Sequence, residues 1–150
     1  MNPDRALVVE FLNGARAPLA IASNPLARDL KGTLLELDGV RGEALLAFEP
    51  SQQHLQGSGV LQGGVSATLL DFAMAFAAHA QLAAAGAQRG LATASLTVQL
   101  LRPTRAERLL ARGRILRQGA RLMFAESTLA AAGDERLVAT ASAVLALTDP

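Results

Sequence analysis

Cysteine is absent from the 150 residues, which excludes disulfides, zinc–thiolate sites and a cysteine nucleophile. Only two histidines occur, His54 and His79, which argues against a histidine-built metal site; no metal is expected, and no cofactor. Aromatic residues make up 3% of the chain. Few rings can therefore stack on an aryl ligand, although aliphatic pockets also accept aryl groups. A strong charge of one sign is missing as well. The formal net charge of +1 creates no field that would draw nucleic acid or an anionic membrane. Repeats, low-complexity tracts and interdomain linkers are not found. The stretch from Met1 to Arg16 carries Asp4, Arg5 and Glu10 around a brief apolar patch, unlike a secretory signal. The expected compartment is the cytoplasm.

What is present is apolar residue. Hydrophobic types make up 51% of the sequence, enough to bury a core. The length suggests a single domain over residues 1–150, with an N-terminal helix and loop (1–29) and a core (30–147). The longest apolar run, Val65 to Ala85, contains Asp71 and His79. A carboxylate at the centre of a bilayer costs roughly 2.5–3.5 kcal/mol, so a buried helix is expected rather than a membrane span.

Local pattern sets the order of elements. Asn2 can cap a helix with Pro3 in its first turn, with Leu7, Val8, Phe11 and Leu12 on one face and Gly14 as a stop. Pro18 to Pro25 reads as a loop. Gly32–Leu37 and Gly42–Phe48 read as strands joined by the Asp38-Gly39 turn. Pro50 to Leu61 reads as a loop, and the apolar helix follows from about Gly64 to Ala85. Thr93, Ser95, Thr97 and Gln99 alternate with Ala94, Leu96, Val98 and Leu100, the period of a strand. Leu109–Arg117, Leu122–Ala130 and Leu137–Leu145 make three more strands, turned at Gln118-Gly119 and Gly133-Asp134. The class is α+β, an antiparallel sheet covered by one long helix. A helix apolar nearly all round must be buried beyond its sheet side, and a second subunit is the natural cover.

The densest chemistry lies in Gln62-Gly63-Gly64-Val65-Ser66-Ala67-Thr68-Leu69-Leu70-Asp71. The first N–H groups of a helix lack internal partners and carry partial positive charge, so Gly63 and Gly64 could cradle an oxyanion. Two glycines also serve an ordinary loop-to-helix turn. Asp71 is the only Asp, Glu, Lys or Arg between Glu49 and Arg89. Such a carboxylate is either a working group or the partner of an Arg. Gly63 and Asp71 lie eight residues apart, about 12 Å along a helix. Both cannot act on one carbonyl carbon from the same helix. If both act, a twofold dimer with its helices side by side combines Gly63 of one chain with Asp71 of the other.

The run Gln56-x-x-Gly59-Val60-Leu61-Gln62-Gly63-Gly64-x6-Asp71 resembles the signature of hotdog-fold acyl-CoA thioesterases. The closest group is the phenylacetate-pathway (PaaI-like) proteins, kin to the 4-hydroxybenzoyl-CoA thioesterases. The likeness runs from about Leu30 to Leu147 and includes Leu101-Arg102-Pro103. It implies a hotdog fold and hydrolysis of an aryl or short- to medium-chain acyl-CoA to free acid and CoA. Gly63 would supply the oxyanion N–H and Asp71 the general base or nucleophile. Gln56 would orient water or the acyl group, and Thr93 would offer a hydroxyl. Arg102, Arg117 and Arg121 would approach the CoA phosphates, which suit an Arg fork. A homodimer or homotetramer with sites at subunit interfaces is implied. Most relatives have His where this chain has Gln62. A dehydratase or hydratase of the same fold needs a catalytic His, and Gln62 cannot exchange protons near neutral pH. A non-catalytic acyl-CoA-binding domain is the other alternative. His54 and His79 fall outside the family's catalytic positions, and structural roles are expected of them.

Overall fold

The computed structural model describes residues 2–15 and 17–150. Helix α1 (Pro3–Glu10) starts as its sequence requires, with the Asn2 side chain accepting the Asp4 N–H at 2.8 Å. A π-helical turn, Phe11–Ala15, follows and contains non-helical Gly14. The segment expected as loop holds two further elements, β1 (Leu19–Ala20) and α2 (Pro25–Asp29). Asn24 caps α2 by accepting the N–H groups of Leu26 and Ala27 at 3.1 and 3.2 Å.

Strands β2 (Thr33–Asp38) and β3 (Glu43–Phe48) form the expected hairpin. A short 3₁₀ turn, Gln52–His54, sits in the second predicted loop. The long helix α3 (Gly63–Ala84, 22 residues) begins one residue earlier than the pattern suggested. Then come β4 (Gly90–Leu100), β5 (Leu109–Gln118), β6 (Leu122–Ala131) and β7 (Leu137–Thr148). All pairings in the seven-stranded sheet are antiparallel, in the order β1-β2-β3-β5-β6-β7-β4. The sheet wraps around α3, which is the hotdog arrangement.

Helix and sheet meet closely because small residues floor the sheet. Ala111, Ala125, Ala139, Ala141 and Ala143 are all buried on the inner face. Gly113 is required there, since a Cβ on it would lie 2.3 Å from the Ala73 carbonyl oxygen of α3. Gly39 serves likewise at the β2–β3 turn, where a Cβ would fall 2.7 Å from the Ala80 carbonyl oxygen. α3 is long and apolar enough to cross a membrane, but much of it is buried in the fold.

Part of the cover of α3 beyond its sheet side comes from the chain itself. Phe76 to Ala80 is buried continuously within one chain, because α1 packs across the second half of the helix. The uncovered face belongs to the first half, where Gly64 is exposed and Ala67, Thr68, Asp71, Phe72 and Ala75 are half-buried.

Under α1 lie two polar side chains, Arg5 and His79, which are 9% and 4% exposed. His79 Nδ1 finds no hydrogen-bond partner among the described residues. Burial pushes its pKa down from 6.5 to about 4, opposed by the Asp4 charge and reinforced by Arg5. Below pH 6.5 the unfolded chain takes up a proton that the folded chain refuses. Stability should therefore fall between pH 6.5 and about 4, by about 3 kcal/mol in all. Urea unfolding across that range checks this. His79→Leu should remove most of the decline, and an unchanged pH dependence would show the ring to be hydrated.

Candidate active site

Five of the seven predicted residues gather in two places beside the first half of α3. The first is its N-terminus. Gln62 is the N-cap with φ −59° and ψ 131°, and its carbonyl accepts the N–H groups of Val65 and Ser66 at 2.9 and 3.2 Å. Gly63 is the first helical residue. No group among the described residues accepts its N–H, nor that of Gly64. A cavity of about 240 Å³ opens beside it, with Gln56, Ser66, Leu100, Arg102 and Thr104 in its wall.

Gln56 is oriented by its own turn. Its carbonyl oxygen Oε1 accepts the backbone N–H of Ser58 at 3.0 Å and the Ser58 hydroxyl at 2.7 Å. The amide NH₂ is thus the group left to meet a ligand. Arg102 is exposed at the rim, its backbone N–H bonded to the Val138 carbonyl at 3.1 Å.

The second place is about two turns further along. Asp71 is half-buried, and the Thr93 hydroxyl donates to its Oδ1 at 2.8 Å. Among the described residues Asp71 joins no ion pair within the chain. A second cavity of about 240 Å³ lies beside it, lined by Leu26, Ala67, Thr68, Asp71, Phe72 and Leu96. The Phe72 ring stacks on Phe48 with centroids 5.8 Å apart.

Thr93 reaches Asp71 because of a bulge that simple alternation does not foresee. Pairing of β4 with β7 shifts between Thr93 and Ser95, so Thr93 faces Leu145 while Leu96, Val98 and Leu100 face Ala143, Ala141 and Ala139. Opposed residues share a face. The shift therefore puts Thr93 on the same inner face as Leu96, where strict alternation separates them. In the single chain most of this edge strand is exposed on both faces, Leu96 to 37% and Leu100 to 58%.

Arg117 and Arg121 are exposed and do not join Arg102. Their hairpin lies where Leu122 pairs Ala146 on β7, whereas the end of β4 next to Arg102 pairs at Ala139. Seven residues of strand separate these points, about 23 Å at ~3.3 Å per residue. His54 and His79 are buried and line neither cavity, in keeping with structural roles. A larger hollow of about 460 Å³ between the π turn and β2 is lined by Phe11, Leu12 and Leu35 to Gly39. It holds no predicted site residue. The groups that the sequence did not point to are Leu26, Phe72 and Leu96 around Asp71. Leu26 comes from a helix read as loop, and Leu96 is placed by the bulge.

The antiparallel sheet wrapped around one long central helix places the chain in the hotdog class of folds. The sequence profile of the Thioesterase superfamily matches residues 58–142, and the chain belongs to that family. No match is found among curated proteins. Among solved structures, the chain is similar to a thioesterase family protein from Silicibacter pomeroyi. The two are 24% identical, with TM-score 0.77 over 97% of this chain and 99% of the other. It is also similar to a phenylacetic acid degradation-related protein from Ralstonia eutropha, at 26% identity and TM-score 0.76, covering 93% and 98%. The PaaI protein of the E. coli phenylacetic acid degradation operon shares the fold at 18% identity and TM-score 0.74, covering 97% and 94%.

Proposed function

We propose that the protein hydrolyses acyl-CoA thioesters, with each active site shared between the two chains of a dimer. The observation that carries this is the division of the site residues. The free N–H of Gly63 and the carboxylate of Asp71 open on separate cavities of one uncovered helix face. Twofold pairing of α3 with its copy would lay one half of the site against the other. The exposed edge strand β4 supports such pairing, since an uncapped edge of 11 residues is a template for another chain.

In the proposed reaction Asp71 takes a proton from water as the water oxygen bonds to the thioester carbon. The partner's Gly63 N–H donates to the carbonyl oxygen as it gains negative charge. Collapse of the tetrahedral intermediate breaks the C–S bond, and the proton held by Asp71 passes to the leaving CoA thiolate. Thr93, bonded to Oδ1, leaves Oδ2 to face the water. Direct attack by Oδ2 to give an anhydride is the alternative use of the same carboxylate.

A panel of aryl and short- to medium-chain acyl-CoAs, read by free thiol release, tests the reading, and light scattering tests the dimer. Turnover of at least one thioester by a dimer or tetramer is expected. Binding without thiol release would leave a non-catalytic acyl-CoA-binding domain. A fully active stable monomer would rule out the shared site.

Arg102 stands at the phosphate end in this proposal. Arg102→Ala should raise KM for acyl-CoA about ten- to a hundredfold at nearly constant kcat, the value of a lost charge-assisted hydrogen bond. The same variant should act normally on a short thioester that lacks the nucleotide. Equal losses on both substrates would sink the phosphate role.

A further inference from the structure

We infer that Asp29 and His54 form a latch that positions the Gln56–Gly63 turn, and with it the oxyanion donor. His54 is 8% exposed and lines neither cavity. Its Nδ1 accepts the backbone N–H of Ser51 at 2.9 Å. The neutral ring must then carry its hydrogen on Nε2, which donates to Asp29 Oδ2 at 2.7 Å. Asp29 Oδ1 accepts from Gln53 Nε2 at 2.8 Å. Both carboxylate oxygens are thus held by the 3₁₀ turn, and the hydrogen bonds from His54 and Gln53 keep the Asp29 carboxyl below its usual pKa range.

The backbone of the same His54 fixes the start of α3. Its carbonyl accepts the Gln62 N–H at 3.0 Å, and Gln62 is the cap that immediately precedes Gly63. Between these two anchors the chain closes on itself. Leu55 bridges Leu61, and the Gln56 N–H donates to the Val60 carbonyl at 2.8 Å. Residues 54–62 are therefore one closed loop with both ends at His54, and the loop carries Gln56. The other arm of the latch, α2, carries Leu26 into the cavity beside Asp71. One contact, between the buried His54 ring and the half-exposed Asp29 carboxylate, thereby spans the two halves of the site within a chain, and neither latch residue lines either cavity. This role rests on the proposed hydrolysis only where activity is its readout.

The test compares His54→Ala, Asp29→Ala, the double variant and His54→Gln, whose amide nitrogen reaches about where Nε2 sits. Displacing an oxyanion donor by a fraction of an ångström to 1 Å costs about ten- to a hundredfold. Each alanine variant should lose that much kcat at nearly constant KM, with the double variant no worse than the poorer single. His54→Gln should recover most of the loss. Amide exchange supplies a readout independent of activity. The Gln56 and Gln62 amides should exchange at least about tenfold faster in the alanine variants, while amides from Leu70 to Leu82 keep their protection. A KM rise at constant kcat, additive losses in the double variant, or unchanged exchange at Gln62 would each overturn the latch. If the wild-type protein hydrolyses no acyl-CoA, the proposed function fails and the exchange experiment alone decides the latch.

Discussion

Asp71→Asn should lower thioester turnover by about 10²–10⁴-fold, the scale for losing a general base or nucleophile, while CoA binding changes little. The substitution is nearly isosteric. If the Asn carbonyl takes the place of Oδ1, it still accepts the Thr93 hydroxyl, which now stands 2.8 Å away. The position of the side chain is then kept and only its charge and basicity are lost. The uncharged amide also relieves an unpaired carboxylate on the helix, so the variant should be at least as stable as the parent. Loss of kcat with retained stability is the signature of chemistry rather than of folding. Thiol release under saturating acyl-CoA, alongside thermal unfolding, separates the two. Turnover near that of the parent would remove Asp71 from the mechanism.

The parts of this protein legible in its sequence are those written in a local pattern. α3 declares itself by a long apolar run, and Asp71 stands out because no other Asp, Glu, Lys or Arg lies between Glu49 and Arg89. The eight-residue spacing to Gly63 is enough to raise the need for a second chain before any fold is considered. What escapes depends on distant partners. α2 has five residues and only a weak pattern, held by the Asn24 cap and by a contact between Asp29 and His54, 25 positions apart. The bulge at Thr93 leaves the alternation of residue types untouched yet moves a hydroxyl to the other face of the strand. Burial of the second half of α3 by α1 depends on how two helices dock and has no counterpart in either helix alone.

Gly63→Pro should silence the protein by about 10²–10³-fold, the cost of removing an oxyanion donor, and should leave the helix standing. Proline is favoured at the first helical position because no internal bond is lost there. The preceding Gln62 already has ψ 131°, within the range that a following proline imposes. Added side-chain atoms would meet Leu100 Cδ1, 2.8 Å from an ideal Cβ, which is the movable end of an exposed side chain. The only catalytic feature deleted is the N–H. Mixing this variant with Asp71→Asn then tests where a site's residues come from. In a mixed dimer, one site would join the intact Gly63 of one chain with the intact Asp71 of the other, and the second site would carry both defects. With equal amounts and free subunit exchange, about half the dimers are mixed, each with one working site of two. Activity should rise from below about 1% to about a quarter of the parent's. Exchange is verified by co-purification of a tagged with an untagged chain. Verified exchange without recovery would mean that Gly63 and Asp71 of a single chain serve the same site, and the shared-site mechanism would fall.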